Sequence, residues 1–222
     1  MKALVISSSP RRDGNSAALA REAVRGLQNA QHDAKLLHLE DVLNGFLRDC
    51  RTCRGPDGRC SINDSHGDVF LNDLLPADGL IVASPVYWYG MSGQLKAFFD
   101  RMFCYVAASY PASDEVVARL QNKRIGLILS SEETFPTVSA GIVHQIQEYA
   151  RYTRSEFAGV VHGFGNARGD VARDPGNPLL QAHRFGETFF SAPASDYKID
   201  TPRPGKLWTD RLAPYPGTAV TA

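Results

Sequence analysis

The sequence lacks an excess of charge of either sign. Lysine plus arginine equal aspartate plus glutamate, at 24 each among 222 residues, so electrostatics does not favour binding to nucleic acid or to an anionic membrane. No apolar run approaches the length of a membrane span. The opening Met1–Ile6 is too short and too soon polar to be a signal peptide. We therefore expect a cytoplasmic protein with no nucleic-acid or membrane partner.

The chain also has few cysteines, four in all. In the cytoplasm these are reduced thiols or ligands rather than disulfides. Cys50, Cys53 and Cys60 fall within eleven residues, whereas Cys104 lies on a separate predicted helix. An iron–sulfur cluster or a structural zinc ion needs four ligands, and His66 could complete a zinc set. The simpler interpretation is that the cysteines pack a loop or a subunit interface, and we predict no metal.

Five apolar segments are typical of buried parallel strands, and they alternate with helical patterns. The strands are predicted at residues 3–7, 34–39, 79–84, 123–129 and 157–161, and the main helices at residues 17–28, 68–75, 91–105, 139–152 and 178–190. This alternation predicts an α/β fold with a doubly wound parallel sheet. We see no linker or repeat, so residues 1–190 are predicted to form one domain. Residues 191–222 form a proline-rich tail that could strap onto the body or onto another subunit.

The stretch Ser7–Ser16 joins the first strand to the first helix. It holds three consecutive serines, two arginines, one glycine and one asparagine. Hydroxyls, backbone N–H groups and a helix N-terminus together suit a phosphate monoester. Ordinary helix capping explains Gly14, Asn15 and Ser16, but it does not explain the serine run or the arginines. Phosphate binding is the favoured interpretation, and capping is the alternative.

A second polar-edged loop, Ser84–Gly93, follows the third strand. It contains three adjacent aromatic residues, Tyr87, Trp88 and Tyr89. Proline, aromatic rings and glycine make a flat apolar wall with exposed backbone N–H groups, which suits a planar heteroaromatic ligand. The alternative is that the rings pack beneath the next helix, although three in a row cannot all face inward. A third loop, Ser130–Pro136, follows the fourth strand, and ligands bind at such strand ends in open parallel sheets.

These motifs resemble the NADPH-dependent FMN reductase and flavodoxin-like quinone reductase superfamily over residues 1–190. The matching segments are Ser9-Pro-Arg11 with Gly14-Asn-Ser16 for the phosphate loop, Ser84–Gly90 for the flavin-ring loop, Leu95-Lys96 with Phe99–Arg101 for the following helix, Cys50, Cys53, Cys60 and Asp64 for a cysteine segment found in part of the family, and Gly169–Val171 with Asp174-Pro175 before the last helix. The cysteine segment is similar to that of the iron–sulfur flavoproteins within the family.

The resemblance implies a flavodoxin-like, doubly wound five-stranded parallel sheet of order 2-1-3-4-5 that binds FMN. The implied FMN-binding residues are Ser9, Arg11, Asn15 and Ser16 for the phosphate, Pro85, Val86, Tyr87, Trp88, Tyr89 and Gly90 for the ring, and Ser131, Glu132 and Thr134 on the other side. Backbone N–H groups of the ring loop would reach the N1–O2 and N5 edge. Family members often carry glycines where Ser131–Thr134 carries two carboxylates, which would disfavour an anionic reduced flavin.

The resemblance further implies an FMN-dependent NAD(P)H oxidoreductase. NADPH or NADH would pass hydride to flavin N5, and a quinone, nitro-compound or similar acceptor would then take the electrons. The mechanism requires no acid–base pair, and we name no catalytic residue. The alternatives are a flavodoxin-type electron carrier, which the neutral charge disfavours, an iron–sulfur flavoprotein, and a redox-sensing or structural protein without flavin. A homo-dimer or homo-tetramer is expected, with residues 91–105 and the cysteine segment as candidate interfaces.

Overall fold

A five-stranded parallel sheet forms the centre of the protein. The computed structural model describes residues 1–49 and 54–194. The strands are β1 (Lys2–Ser7), β2 (Asp33–His38), β3 (Gly79–Pro85), β4 (Arg124–Ser131) and β5 (Glu156–Phe164). They are arranged in the order β2-β1-β3-β4-β5, and every neighbouring pair is parallel. The predicted doubly wound sheet and its strand order are therefore confirmed.

Helices cover both faces of this sheet. They are α1 (Asn15–Asn29), α2 (His66–Asp68), which continues as a π-helix over Val69–Leu74, α3 (Gly93–Arg101), α4 (Phe103–Val106), α5 (Ser113–Leu120), α6 (Ala140–Tyr152) and α7 (Pro178–Glu187). Among the described residues, none of these helices has the length and apolar character needed to cross a membrane.

Each face of the sheet carries its own apolar core, because successive strand residues point to opposite sides. Leu4 and Ile6 of β1 belong to the core that α3 and α6 complete. Ala3 and Val5 belong to the core that α1 and α7 complete. Since both faces are buried, the central strands read as nearly continuous apolar runs, which is why the sequence revealed them.

Two glycines allow α1 and α7 to cross at very short range. A Cβ atom built on Gly26 of α1 would lie 1.9 Å from the carbonyl oxygen of His183, and one built on Gly186 of α7 would lie 2.1 Å from that of Ala23. No side chain fits at either position without moving a backbone. This contact packs α7 against the C-terminal half of α1, and both helices contribute to the same core on one face of the sheet.

Several element boundaries differ from the predictions. The single helix predicted over residues 91–105 starts later, because the Ser92 hydroxyl accepts the Leu95 N–H at 3.2 Å and caps α3. That helix also ends at Arg101, and α4 follows as a separate turn. β5 extends past the predicted end at Val161, because its backbone keeps pairing with β4 as far as Phe164. Of the predicted tail, only residues 191–194 belong to the described part of the chain.

Candidate active site

The loops after β1 and β3 are bonded to each other at the point where the strand order reverses. The backbone N–H and the hydroxyl of Ser8 donate to the Ala83 carbonyl at 2.8 and 3.0 Å. The Ser92 hydroxyl donates to the Ser8 carbonyl at 3.1 Å, and the Ser92 N–H donates to the Ser84 hydroxyl at 3.0 Å. These bonds hold the two predicted ligand loops together at the carboxyl edge of the sheet, where ligands bind in doubly wound folds.

The N-terminus of α1 has no side-chain cap. Gly14 occupies the N-cap position, and the first turn of this fully described helix contains no acidic residue. The Asn15 amide instead donates to the Gly165 carbonyl at 3.0 Å. The Ser16 hydroxyl lies 2.7 Å from the Ser130 hydroxyl. Side-chain capping by Asn15 or Ser16 is therefore wrong, since Asn15 binds the loop after β5 and Ser16 binds Ser130 in β4, while Gly14 takes the N-cap position. No side chain of the first turn caps the N–H groups at the positive helix end, and Asp13, just before the N-cap, is paired with Arg168.

The turn between β1 and α1 is curled by Ser9 and Arg11. The Ser9 hydroxyl accepts the Arg11 N–H at 3.1 Å and donates to the Arg11 carbonyl at 3.0 Å. A Cβ built on Gly14 would lie 3.0 Å from the Ser9 hydroxyl oxygen and 3.1 Å from the Arg11 carbonyl oxygen. The turn is thus a tight cradle in which a residue larger than glycine would have to displace its neighbours.

Cationic side chains surround this cradle unequally. Arg12 is paired with Asp41, whereas the exposed Arg11 has no ion-pair partner within residues 1–49 and 54–194. Beneath the turn, the buried Ser7 hydroxyl also has no hydrogen-bond partner among the described residues. A buried hydroxyl without a partner is costly, so the cradle carries polar capacity that the protein does not use itself.

The aromatic loop after β3 closes on itself as a tight turn. The Tyr87 N–H donates to the Gly90 carbonyl at 2.9 Å, and the Gly90 N–H donates to the Tyr87 carbonyl at 3.0 Å. Trp88 and Tyr89 have φ angles of 48° and 60°, as the two central residues of a type I′ turn do. The Val86 N–H donates to the Ser130 carbonyl at 2.8 Å. The prediction of a loop with generally exposed N–H groups is therefore too broad: within residues 86–90, only the N–H groups of Trp88 and Tyr89 lack a backbone acceptor.

All three aromatic rings of this turn reach solvent. Trp88 is 96% exposed, and Tyr87 and Tyr89 are 44% and 52% exposed. The Tyr89 hydroxyl donates to Glu133 Oε1 at 3.2 Å, and its ring lies 6.4 Å from that of Phe135. The negative charge of Glu133 raises the pKa of Tyr89. The turn is thus joined through Tyr89 to the loop after β4.

The loop after β4 is held from below by His162 of β5. The Ser131 hydroxyl donates to the Glu133 carbonyl at 2.7 Å. Since that hydroxyl has one proton, His162 Nε2, 2.8 Å away, must be the donor to Ser131 Oγ. Burial lowers the pKa of His162 although Asp174 opposes this shift. A neutral imidazole therefore fixes Ser131, and Ser131 fixes the backbone of Glu133.

A cleft of about 370 Å³ separates the loop after β4 from the loop after β5. It is lined by Glu132, Thr134, Phe164, Gly165, Asp170, Arg173, Asp174 and Pro175. Glu132 and Thr134 therefore face open space, whereas Ser131 is buried beneath them. Three carboxylates and one guanidinium give this cleft a mainly acidic lining.

The segment that follows β2 is anchored by a buried ion pair. Arg101 of α3 donates to both carboxylate oxygens of Asp64, with Nη2 at 2.7 Å from Oδ1, and the two side chains are 1% and 4% exposed. Asp64 also accepts the backbone N–H groups of Asn44 at 2.8 Å and His66 at 3.2 Å. Burial alone would raise the pKa of Asp64, but these donors lower it. We call this set of residues, with Arg101 at its centre, the Arg101 clamp.

The described cysteines lie beside this clamp. Cys60 accepts a hydrogen bond from Arg101 Nη2 at 3.6 Å, and buried Cys104 lies 3.9 Å from the Gly58 carbonyl. His66, considered above as a zinc ligand, instead donates from Nε2 to the Phe98 carbonyl at 3.0 Å. Within residues 1–49 and 54–194 no three potential metal-ligating side chains are grouped. Cys50 and Cys53 lie outside the described residues.

The sequence of this chain matches the sequence profile of a known protein family. The family described as NADPH-dependent FMN reductase matches residues 1–145. The chain belongs to the NADPH-dependent FMN reductase family. This membership confirms the predicted class of enzyme, an oxidoreductase, and the predicted cofactor, FMN.

Individual relatives agree with this family. The proposed NAD(P)H-dependent FMN-containing oxidoreductase YwqN of Bacillus subtilis is 29% identical over 78% of this FMN reductase-family chain and 91% of its own length. The iron–sulfur flavoprotein MJ1083 of Methanocaldococcus jannaschii is 37% identical, but over 46% of this chain and only 51% of its own length. The solved Trp repressor binding protein of Bacillus subtilis covers 86% of this chain and 99% of its own at 24% identity, with a TM-score of 0.60, which shows a common fold.

The structure brings the predicted site residues of this family member to one edge of the sheet. The phosphate group, Ser9, Arg11, Asn15 and Ser16, surrounds the start of α1, and the ring group, Pro85 to Gly90, forms the adjoining turn. Sequence reasoning missed Phe135 and His162, and it considered Glu133 only as one of two carboxylates near the flavin. The signal of His162 was weak, since it lies beyond the apolar run of β5.

Proposed function

We propose that this chain binds the FMN phosphate at the start of α1 and acts as an NAD(P)H-dependent reductase of a small-molecule acceptor. One observation carries the proposal: the two residues able to cap α1, Asn15 and Ser16, bind the loop after β5 and the end of β4 instead. Free N–H groups at a positive helix end are a ready-made phosphate site. The unpartnered Ser7 hydroxyl and the crowding at Gly14 fit the same ligand. Arg11 would add a charge-assisted hydrogen bond.

The flavin ring would lie against the turn after β3. Pro85 and Val86 supply the apolar wall beneath it, and the N–H groups of Trp88 and Tyr89 are the donors still available for its polar edge. When bound, FMN supplies the hydride and electron transfer chemistry. The remaining FMN-binding residues on our assignment are Ser9, Tyr87, Gly90, Ser131, Glu132 and Thr134.

The protein itself tunes the site through its carboxylates. Glu132 and Glu133 are both exposed at the loop after β4, and Glu133 is held towards the aromatic turn by Tyr89. Negative charges beside a bound ligand disfavour a further negative charge on it. We therefore expect a low flavin potential, since an anionic reduced form would be destabilised.

An absorbance experiment tests this function. The purified protein is reconstituted with FMN and separated from unbound cofactor, and NADPH or NADH is added without oxygen. We expect a flavin spectrum that either dinucleotide bleaches and that menadione, a naphthoquinone, or a nitroaromatic compound restores. A protein that retains no FMN would refute the cofactor site. A flavin that dithionite bleaches but NAD(P)H does not would indicate an electron carrier instead.

We also propose that the protein is a cytoplasmic homo-dimer or homo-tetramer with an FMN-binding domain over residues 1–190 and a tail over residues 191–222. The aromatic side chain of Phe103, 49% exposed at the end of the predicted interface helix, supports this association. Sedimentation equilibrium measures it directly. A monomer at micromolar concentration would refute the assembly.

A further inference from the structure

We propose that an uncharged, planar aromatic electron acceptor stacks on the indole ring of Trp88. Tyr89 and Glu133 are positioning residues that hold the turn carrying Trp88 in place. The inference deepens the proposed function and rests on it. Its starting point is the exposure of Trp88, 96% of whose surface faces solvent although tryptophan is largely apolar. A single exposed apolar residue needs no explanation, but this one is also held in an unfavourable backbone conformation.

The backbone strain at the turn is unusual for its sequence. Type I′ turns favour asparagine and glycine at both central positions, because these residues tolerate positive φ. Here the two positions carry Trp88 and Tyr89, with φ angles of 48° and 60°. Strain of this kind persists only where surrounding contacts impose it, and it is concentrated at functional sites. The two reciprocal bonds between Tyr87 and Gly90 impose it here.

A chain of hydrogen bonds then fixes the direction of the turn. His162 donates to Ser131, Ser131 donates to the Glu133 carbonyl, and the Glu133 carboxylate accepts the Tyr89 hydroxyl. The Phe135 ring contacts Tyr89 from the side. Tyr89 is therefore tied to the neighbouring loop, while Trp88, the residue beside it, is left projecting. A rigid loop that presents one free indole is suited to stacking.

The charges beside the indole select the ligand. Glu132 and Glu133 are exposed carboxylates on the loop that Tyr89 contacts. A dinucleotide carries a pyrophosphate that these carboxylates would repel, whereas an uncharged ring meets no such penalty. A planar aromatic ligand gains stacking energy on an indole face that a small inorganic oxidant cannot gain. The combination favours the acceptor rather than NAD(P)H as the occupant.

Steady-state kinetics of the FMN-loaded protein test the platform. With menadione as acceptor, Trp88→Leu is expected to raise KM roughly three- to tenfold. Trp88→Phe, which keeps an aromatic ring, should raise the menadione KM much less. The KM for NADPH or NADH and the rate with ferricyanide, which does not stack, should change less than the KM for menadione, because FMN is assigned the backbone N–H of Trp88, which leucine keeps. Tyr152→Leu, which removes an exposed aromatic ring at the C-terminal end of α6, is the matched control and should leave the menadione KM unaltered.

A binding measurement without turnover gives a second readout. The chain has two tryptophans, Trp88 and Trp208, so in oxidised, FMN-loaded Trp208→Phe protein all tryptophan emission comes from Trp88. We expect menadione to quench it saturably, with half-saturation near its KM. Tyr89→Phe and Glu133→Gln, introduced separately into this background, should lower the emission anisotropy of Trp88 and weaken the quenching, as positioning roles require.

The outcomes are decisive in both directions. In the quenching experiment, a linear, unsaturable response would overturn the proposal that Trp88 binds the acceptor. So would quenching that depends on protein concentration, because a second copy of the chain would then cover Trp88. In the kinetics, an equal change in the rate with ferricyanide, or a change in the NAD(P)H KM alone, would also overturn it. Failure of the proposed function is distinguishable. If NAD(P)H cannot reduce the flavin, saturable quenching by menadione would still support Trp88 as the stacking platform. A lack of saturable quenching would overturn this proposal.

Discussion

The Arg101 clamp and the carboxyl edge of the sheet differ in how far their polar groups are buried and paired. In the clamp, a guanidinium and a carboxylate that are almost fully buried bind each other and nearby backbone, although Arg101 Nε has no hydrogen-bond partner among the described residues. At the sheet edge, the helix end, the Arg11 side chain and two left-handed aromatic residues are left open to solvent. The difference separates stability from function, because exposed charge and backbone strain persist where a ligand can use them.

Breaking the clamp should have the largest effect on stability. Arg101→Met leaves the Asp64 carboxylate buried without its cation, which costs about 3–5 kcal/mol of unfolding free energy for a broken buried pair. Urea unfolding at pH 7 measures this loss. FMN affinity per folded molecule should not change, because Arg101 belongs to the other region.

The double variant Asp64→Asn with Arg101→Met is the control for this prediction. It removes the unpaired charge and keeps an acceptor for the Asn44 N–H, so it should regain part of the lost stability. If Arg101→Met costs no more than about 1 kcal/mol, as an exposed pair does, the pair is not buried in solution.

Acid should weaken the same region through His66. Burial lowers the pKa of His66 from 6.5 to about 4. Below pH 6.5 the unfolded chain therefore binds a proton that the folded chain does not, so stability falls as the pH falls from about 6.5 to about 4. The integrated loss is roughly 3 kcal/mol. Urea midpoints at pH 7, 5.5 and 4.5 measure it.

The control for acid sensitivity is another histidine. His66→Gln should flatten the pH dependence in this window, whereas His144→Gln, on the exposed side of α6, should keep it. Identical slopes in the two variants would mean that groups other than His66, such as carboxylates or buried His162, cause the loss.

The phosphate cradle is expected to show the reverse pattern, with binding affected and stability unchanged. Arg11→Gln removes one charge-assisted hydrogen bond, worth about 1.5–3 kcal/mol, so the Kd of FMN should rise roughly 10- to 100-fold. Fluorescence titration of FMN measures the change, and the urea midpoint should stay constant because Arg11 is exposed.

Arg12→Gln is a matched control, because Arg12 is adjacent in sequence, equally cationic and paired with Asp41. It should change the Kd of FMN less than Arg11→Gln does. Equal losses in the two variants would indicate a general electrostatic effect and not a specific contact with the phosphate.

The sequence predicted what local patterns encode. β1 was recognisable because a strand buried on both faces is a continuous apolar run, and the turn after it because serines, arginines and glycine are adjacent. Asn15 and Gly165, in contrast, are 150 residues apart, and Arg101 and Asp64 are 37 residues apart. No spacing rule connects such pairs, so the uncapped helix and the clamp could be found only in the folded chain.

The aromatic turn escaped prediction for another reason, since its residues contradict local preference. Asparagine and glycine signal a type I′ turn, whereas Trp88 and Tyr89 signal a strand or a core. The rings were therefore predicted to lie in a ligand-binding loop, but the conformation of that loop was not predicted. A site at which local preference fails is where strain is expected to have a use.

Relieving that strain should produce the smallest effect and the most informative one. Replacing Trp88 with asparagine and Tyr89 with glycine installs the preferred type I′ pair. Each left-handed non-glycine residue costs roughly 1–2 kcal/mol, and the lost contacts of Tyr89 with Glu133 and Phe135 offset part of this gain. The unfolding free energy should therefore rise by about 1 kcal/mol, while the KM for menadione increases. Urea unfolding and steady-state kinetics on the same preparation measure both changes. A variant with unaltered stability would mean that the turn is not strained.

A second outcome is a variant that is more stable and has the same affinity for menadione as the parent protein. The strain would then have no part in acceptor binding. The two regions would differ only in how far their polar groups are exposed to solvent.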